Sequence, residues 1–148
     1  MNESQPSFLL VDGNNILHAW PELVKLLVRD RAAARTELIR RMVEYSGFSG
    51  DRTVIVFDGR GAATNEERME GGLQVFYSGD GHTADEIVER LARKYATSYD
   101  IVVATDDRAE QDVVVGVGAQ VISAEGLQSR LESVDREKDD WLRRHRKR

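Results

Sequence analysis

The sequence predicts an α/β protein of three layers, a mostly parallel central sheet of about five strands with helices on both faces. Three observations carry that prediction. Short apolar runs alternate with stretches of helical periodicity along the 148 residues. Several of these runs are apolar at every position, as strands are when helices cover both of their faces. Three of them are followed at once, or after a single threonine, by aspartate. In an open α/β sheet the C-terminal strand ends form the ligand-binding edge.

In chain order, Phe8 to Val11 reads as the first strand and leads into Asp12. Ala32 to Tyr45 reads as a helix, because Leu38, Met42 and Tyr45 recur at the spacing of one buried face. Val54 to Phe57 is the second strand and leads into Asp58. The glycine-rich, polar stretch from Asp58 to Gly72 is expected to be a loop beside the sheet. Leu73 to Tyr77 is the third strand, and Ala84, Ile87, Val88, Leu91, Ala92 and Tyr95 then mark a second helix. Ile101 to Ala104 is the fourth strand, leading through Thr105 to Asp106 and Asp107 and into another helix. Gln120 to Ile122 is the fifth, and a last helix runs from about Ala124 into a basic end. The expected organisation is one globular domain, residues 1–134, followed by a basic helical extension or tail, residues 135–148.

Composition narrows the chemistry. Cysteine is absent and the three histidines, His18, His82 and His145, are scattered, which removes thiolate nucleophiles and argues against a zinc site. Any metal must be held by oxygen. No apolar run approaches the roughly 20 residues that cross a bilayer, and Met1 to Ser7 has neither a basic start nor an apolar signal core, so the protein is expected to be cytoplasmic and free of membrane. The net charge is -5, but residues 135–148 carry +3 and the rest -8. The basic end, with Arg143 and Arg144, is therefore a candidate contact for a phosphate backbone or a ribosomal surface.

The acidic residues fall where a parallel sheet gathers its strand ends: Asp12, Asp58, and Asp106 with Asp107. Asp85 opens the helix that enters the fourth strand and reaches the same edge if its first turn lies there. Carboxylates brought within a few ångströms raise one another's pKa unless a cation sits among them. An all-oxygen cluster suits magnesium or manganese, and such ions support phosphodiester hydrolysis. Each aspartate also has a purely structural reading, since a strand-end aspartate often caps the next helix. Thr83 and Glu86 form a capping box, which explains Glu86 without a metal. Asp106 and Asp107 cannot both cap the helix that follows them.

The segment Leu10-Val11-Asp12-Gly13-Asn14-Asn15, with His18-Ala19-Trp20-Pro21 soon after, resembles the opening of the YacP-like NYN domains, a branch of the PIN-like nuclease superfamily. Val56-Phe57-Asp58, Thr83-Ala84-Asp85-Glu86 and Ala104-Thr105-Asp106-Asp107, followed by Glu110-Gln111, resemble that family's remaining blocks in the same order. The resemblance covers about Phe8 to Leu131. It implies a PIN-like fold, magnesium or manganese at an acidic cluster, and endonucleolytic cleavage of RNA. Some family members are ribosome-associated and cut messenger RNA, so RNA and the ribosome are the expected partners.

Carried over by motif, Asp12, Asp85 and Asp107 are the expected catalytic metal ligands, with Asp106 and Asp58 as auxiliary ones. Asn15 is expected to support Asp12 or touch the scissile phosphate, and Thr83 and Thr105, which flank the acids, are assigned to substrate. Two positions depart from the pattern: Asn14 stands where an aromatic residue is frequent, and Asp106 where serine or asparagine is common. Trp20 and Trp141 are the candidates for stacking on bases. Among other readings, a dinucleotide site lacks its fingerprint, since Gly59-Arg60-Gly61 is followed by Thr64 where the third glycine belongs and Gly116-Val117-Gly118 precedes a strand. A haloacid dehalogenase-like phosphatase would need aspartate at position 14. The remaining alternative is a catalytically silent RNA- or ribosome-binding module of the same fold.

Overall fold

A computed structural model describes residues 5–59, 65–79 and 81–146. The first strand, β1 (Ser7–Asp12), lies inside the sheet and pairs in parallel with β2 (Arg52–Asp58) on one side and β5 (Asp100–Ala104) on the other. Beyond β2 lies β4 (Gln74–Ser78) and beyond β5 lies β6 (Gln120–Ile122), both parallel. All five expected strands are present. A sixth, β3 (Asn65–Arg68), is antiparallel on the outer edge of β4, so the order is β3-β4-β2-β1-β5-β6.

β3 corrects the expectation of a loop from Asp58 to Gly72, while residues 60–64 of that stretch lie outside the described residues. Asn65-Glu66-Glu67-Arg68 has no apolar position, and charge on an outer strand is a common guard against edge-to-edge pairing. Its strand character comes from the neighbour it pairs with.

The chain adds β2, β4 and β3 on one side of β1 and then β5 and β6 on the other, which makes the C-terminal end of β1 the switch point where ligands bind in such sheets. Its side chains alternate between the two faces. Leu9 and Val11 join the core under α1 (Gly13–Leu17), α2 (Pro21–Arg29), α3 (Arg31–Ser49) and α6 (Ala124–His145), together with Leu17, Leu38, Phe57 and Leu127. Phe8 and Leu10 join the core under α4 (Ala84–Tyr95) and α5 (Arg108–Gly116), with Val56, Val88, Val103 and Val114. Two buried faces explain the unbroken apolar run.

Helices α1 and α2 lie where no element was expected. The first is a single five-residue stretch, too short for a periodic pattern. The second has its signals in the sequence: Pro21 at its start, then Leu23, Leu26 and Leu27. Trp20 is buried, and its indole Nε1–H donates to the Ala124 carbonyl at 2.9 Å. It therefore ties the start of α2 to the start of α6 and presents no face to RNA. Helix α6 runs without a break across the boundary placed after residue 134, and no described helix is long and apolar enough to cross a membrane.

Candidate active site

Three chain turns aim carboxylates at one point on the C-terminal edge of the sheet. At the end of β1, Asp12 caps α1, its Oδ1 accepting the Asn15 N–H at 3.3 Å. The turn needs Gly13, because a Cβ there would sit 2.4 Å from Phe57 Cε1. Past β5, Asp107 caps α5, its Oδ1 accepting the N–H groups of Ala109 and Glu110 at 2.9 and 3.2 Å. This sets Glu110 in the first turn of α5. At the start of α4 the capping box forms as expected, Thr83 Oγ1 accepting the Glu86 N–H and Glu86 Oε1 accepting the Thr83 N–H. Asp85 lies in that first turn.

Asp12, Asp85 and Glu110 each place a carboxylate oxygen so that all three lie within 4.8 Å of one another. Asp12 and Glu110 are only 3% and 1% exposed. Neither oxygen of Glu110 meets a hydrogen-bond donor at bonding geometry. The Thr105 hydroxyl, whose oxygen accepts the Asp107 N–H at 3.1 Å, lies close enough to pull the Glu110 pKa downward. Burial, and then the facing Asp12 carboxyl, push Glu110 up to about 10. Burial and the charges of Asp12 and Asp107 push Asp85 up to about 6. Asp12 is raised mainly by burial, against the lowering influence of the nearby Glu110 carboxyl and of the Asn15 backbone N–H.

A buried acid with no donor loses its hydration and gains nothing in exchange, a cost of several kcal/mol for a charged group. A divalent cation removes that cost. The donor set is oxygen throughout, which fits magnesium or manganese and not zinc.

The other expected site residues fall around this triad. Asp107 lies beside it, near enough to raise Asp12 and Asp85, with one oxygen spent on its helix cap. Asp58 is a clamp: its Oδ2 accepts from Asn14 Nδ2 and its Oδ1 from the Ala84 N–H, both at 2.7 Å. Asp106 is another, its Oδ1 accepting the Ala124 N–H at 2.8 Å. Each of these carboxylates holds the first turn of a neighbouring helix, and the group of acids that converges within 4.8 Å comprises Asp12, Asp85 and Glu110. Asn15 supports the edge from both sides, donating its N–H to Asp12 and accepting the Asp106 N–H on Oδ1 at 2.8 Å.

Thr105 is fully buried, which gives it a structural place where substrate contact was expected, whereas Thr83 is exposed and its hydroxyl accepts within the capping box. Arg143 and Arg144 lie in the last turn of α6, about 28 Å along the helix axis from Ala124 at the active edge. Arg143 pairs with Asp140 at 3.2 Å. They are too distant to touch a phosphate held at the triad. Glu110 is the residue missed in the sequence. It stands three positions after the Asp107 cap, where an acidic residue reads as the second half of a capping box. The Asp107 N–H bonds to Thr105 instead, leaving Glu110 free to turn inward.

The model of the YacP-like NYN domain family matches residues 9–148. YacP of Bacillus subtilis, itself described as uncharacterized, is 36% identical over 130 residues, 86% of this chain and 76% of the relative. The crystal structure of Rae1 (YacP) from Bacillus subtilis superposes with a TM-score of 0.77 at 34% identity, covering 93% of this chain and 80% of that one. A tryptophan-to-leucine variant of the same protein gives a TM-score of 0.79 at 34% identity, covering 93% and 82%. The acidic edge, the sheet order and these similarities agree, and the chain belongs to the YacP-like NYN domain family.

Proposed function

We propose that the chain is a divalent-metal-dependent endoribonuclease, hydrolysing RNA at the C-terminal edge of its sheet to give a 5'-phosphate and a 3'-hydroxyl. The observation that carries this reading is the convergence of Asp12, Asp85 and Glu110, with Glu110 buried and without a donor. Asp12, Asp85 and Glu110 are the direct ligands. Asp107 stands beside them and contributes through the oxygen not used in its cap. Magnesium or manganese at this point supplies Lewis-acid chemistry for the attack of water on phosphorus.

The chain's own residues orient the acids. Asn15 holds Asp12 and the loop after β5 together, the Asp107 cap sets the turn that carries Glu110, and the capping box at Thr83 fixes the turn that carries Asp85. RNA as substrate is supported by family membership. The finer assignment, messenger RNA cut at the ribosome, is supported by the motif resemblance alone.

The test is cleavage of single-stranded and structured RNA by purified protein, with and without ribosomes, in magnesium or manganese. Asp12→Asn is expected to lower kcat/KM by on the order of 1,000-fold, equivalent to about 4 kcal/mol, while the circular dichroism spectrum is unchanged. Full cleavage by that variant, or by the wild type in excess chelator, would sink the reading.

A further inference from the structure

A groove beside the acidic cluster is unused by the chemistry above. We propose that it seats the unpaired nucleotide flanking the cleaved phosphodiester, with the phosphate on Arg31 and the base against Tyr77 and the Arg35 guanidinium. The proposal rests on the nuclease reading and assigns that same site a substrate pocket.

The groove encloses about 770 Å³ between the first turns of α3 and the ends of β2 and β4, a volume typical of sites for small ligands. Asn14, Arg31, Arg35, Ile39, Asp58 and Tyr77 line it. It shares a wall with the acids: Asn14 is two residues past Asp12, and the Asp58 charge is felt by both Asp12 and Asp85. This shared wall is what places the nucleotide next to the cleaved phosphodiester in the groove in the proposal.

Charge selects the ligand class. Residues 1–134 carry -8, yet among the described residues that line this groove two arginines, Arg31 and Arg35, stand against one carboxylate, Asp58. Arg31 is exposed in the first turn of α3 and makes no ion pair among the described residues. A phosphate fits that balance and an amine does not.

The aromatic wall is already assembled. Tyr77 stacks on Phe57 with ring centroids 5.8 Å apart and planes 25° from parallel. The Arg35 guanidinium lies 5.1 Å from the Phe57 centroid and 5.9 Å from that of Tyr77, held by a 2.7 Å hydrogen bond to the Asp58 carbonyl. Unpaired bases stack on such ring and guanidinium planes. The Asn14 amide donates to the Asp58 carboxylate and accepts the Asp58 N–H, which fixes its orientation at the groove wall. Stacking on this wall is open to any base, since every base has a π-face.

The test uses the full chain carrying Asp12→Asn, which leaves the RNA uncut, and fluorescence anisotropy of a short single-stranded RNA. Adding Arg31→Ala is expected to weaken binding several-fold and to lower the slope of log K against log salt by about 0.7. Tyr77→Leu is expected to weaken binding roughly tenfold, and Tyr77→Phe, which keeps the ring, to bind as the parent does. Arg93→Ala, an exposed charge on α4, is the control and should change nothing.

A single abasic ribose moved stepwise along the RNA needs no core substitution. Its penalty, roughly tenfold, should fall on one nucleotide beside the cut. A flat abasic profile, or parental binding by both Arg31→Ala and Tyr77→Leu while the wild type still cuts RNA, overturns the pocket and leaves the nuclease standing. If the wild type neither binds nor cuts RNA, both fall together.

Discussion

Glu37 and Glu110 are the same residue in opposite circumstances. Glu37, on the outer face of α3, takes charged hydrogen bonds from Arg40 and Arg41 at 2.8 Å each, and these hold its carboxyl down to about 2. Glu110, buried beside Asp12 with no donor on either oxygen, is pushed up to about 10. On α3 the cation is built into the chain. At the sheet edge three acids come together and no cation pairs with them among the described residues, a cost that the proposed metal ion would remove. A carboxylate whose neutralising partner must come from outside marks the working part of this molecule.

The sharpest way to break this comparison is Glu110→Gln. The amide cannot ligate as a carboxylate does, and cleavage is expected to fall by on the order of 1,000-fold. Metal-free stability should move the other way. A pKa raised from 4.5 to about 10 means that the folded state binds more protons than the unfolded state between those values. The stabilising contribution is therefore complete below pH 4.5 and is lost as pH rises toward 10. Glu110→Gln removes this slope, so in chelator its Tm should exceed that of the wild type by a few degrees at pH 8 and match it near pH 4.5. Added magnesium or manganese should raise the wild-type Tm and leave the variant unmoved. A variant less stable than the wild type in chelator at pH 8 would contradict the account.

A smaller effect separates the clamps from the ligands. Asp106→Ala removes the acceptor for the Ala124 N–H at the start of α6 and is expected to cost about 1 kcal/mol in urea denaturation. Unlike Glu110→Gln, it should leave the gain in Tm on adding metal intact, and loss of that gain would restore Asp106 as a ligand.

The smallest effect is at Glu37. Its pKa is depressed, so its contribution is present above pH 4.5 and is lost as pH falls toward 2. The pair with Arg40 and Arg41 is partly solvated, with about a quarter of the Glu37 side chain exposed. Glu37→Gln should therefore destabilise by only about 0.5 kcal/mol at pH 7, with the difference gone near pH 2. Opposite signs for Glu37→Gln and Glu110→Gln are the measurement that would sharpen the contrast.

Strand and helix placement was legible to the extent that burial leaves a periodic trace. β1, β2, β4 and β5 are buried on both faces and read as apolar runs, and α4 shows its stripe from Ala84 to Tyr95. β3 left no trace because it is an edge strand of four polar residues, with Glu66, Glu67 and Arg68 exposed. Trp20 looked available for stacking because nothing local places it against Ala124, more than a hundred positions away.

By itself the sequence determined that a parallel sheet would carry its acids to one edge, since that follows from strand direction and the residue after each strand. It also brought Asp12 and Asp85 into the candidate set. Which acids converge was decided only by the tertiary structure. Asp12, Asp58, Asp106 and Asp107 each accept a backbone N–H, yet of these only Asp12 converges with Asp85 and Glu110, the last turned inward where Thr105 accepts the Asp107 N–H. Which carboxylates meet depends on neighbours that the chain order does not reveal.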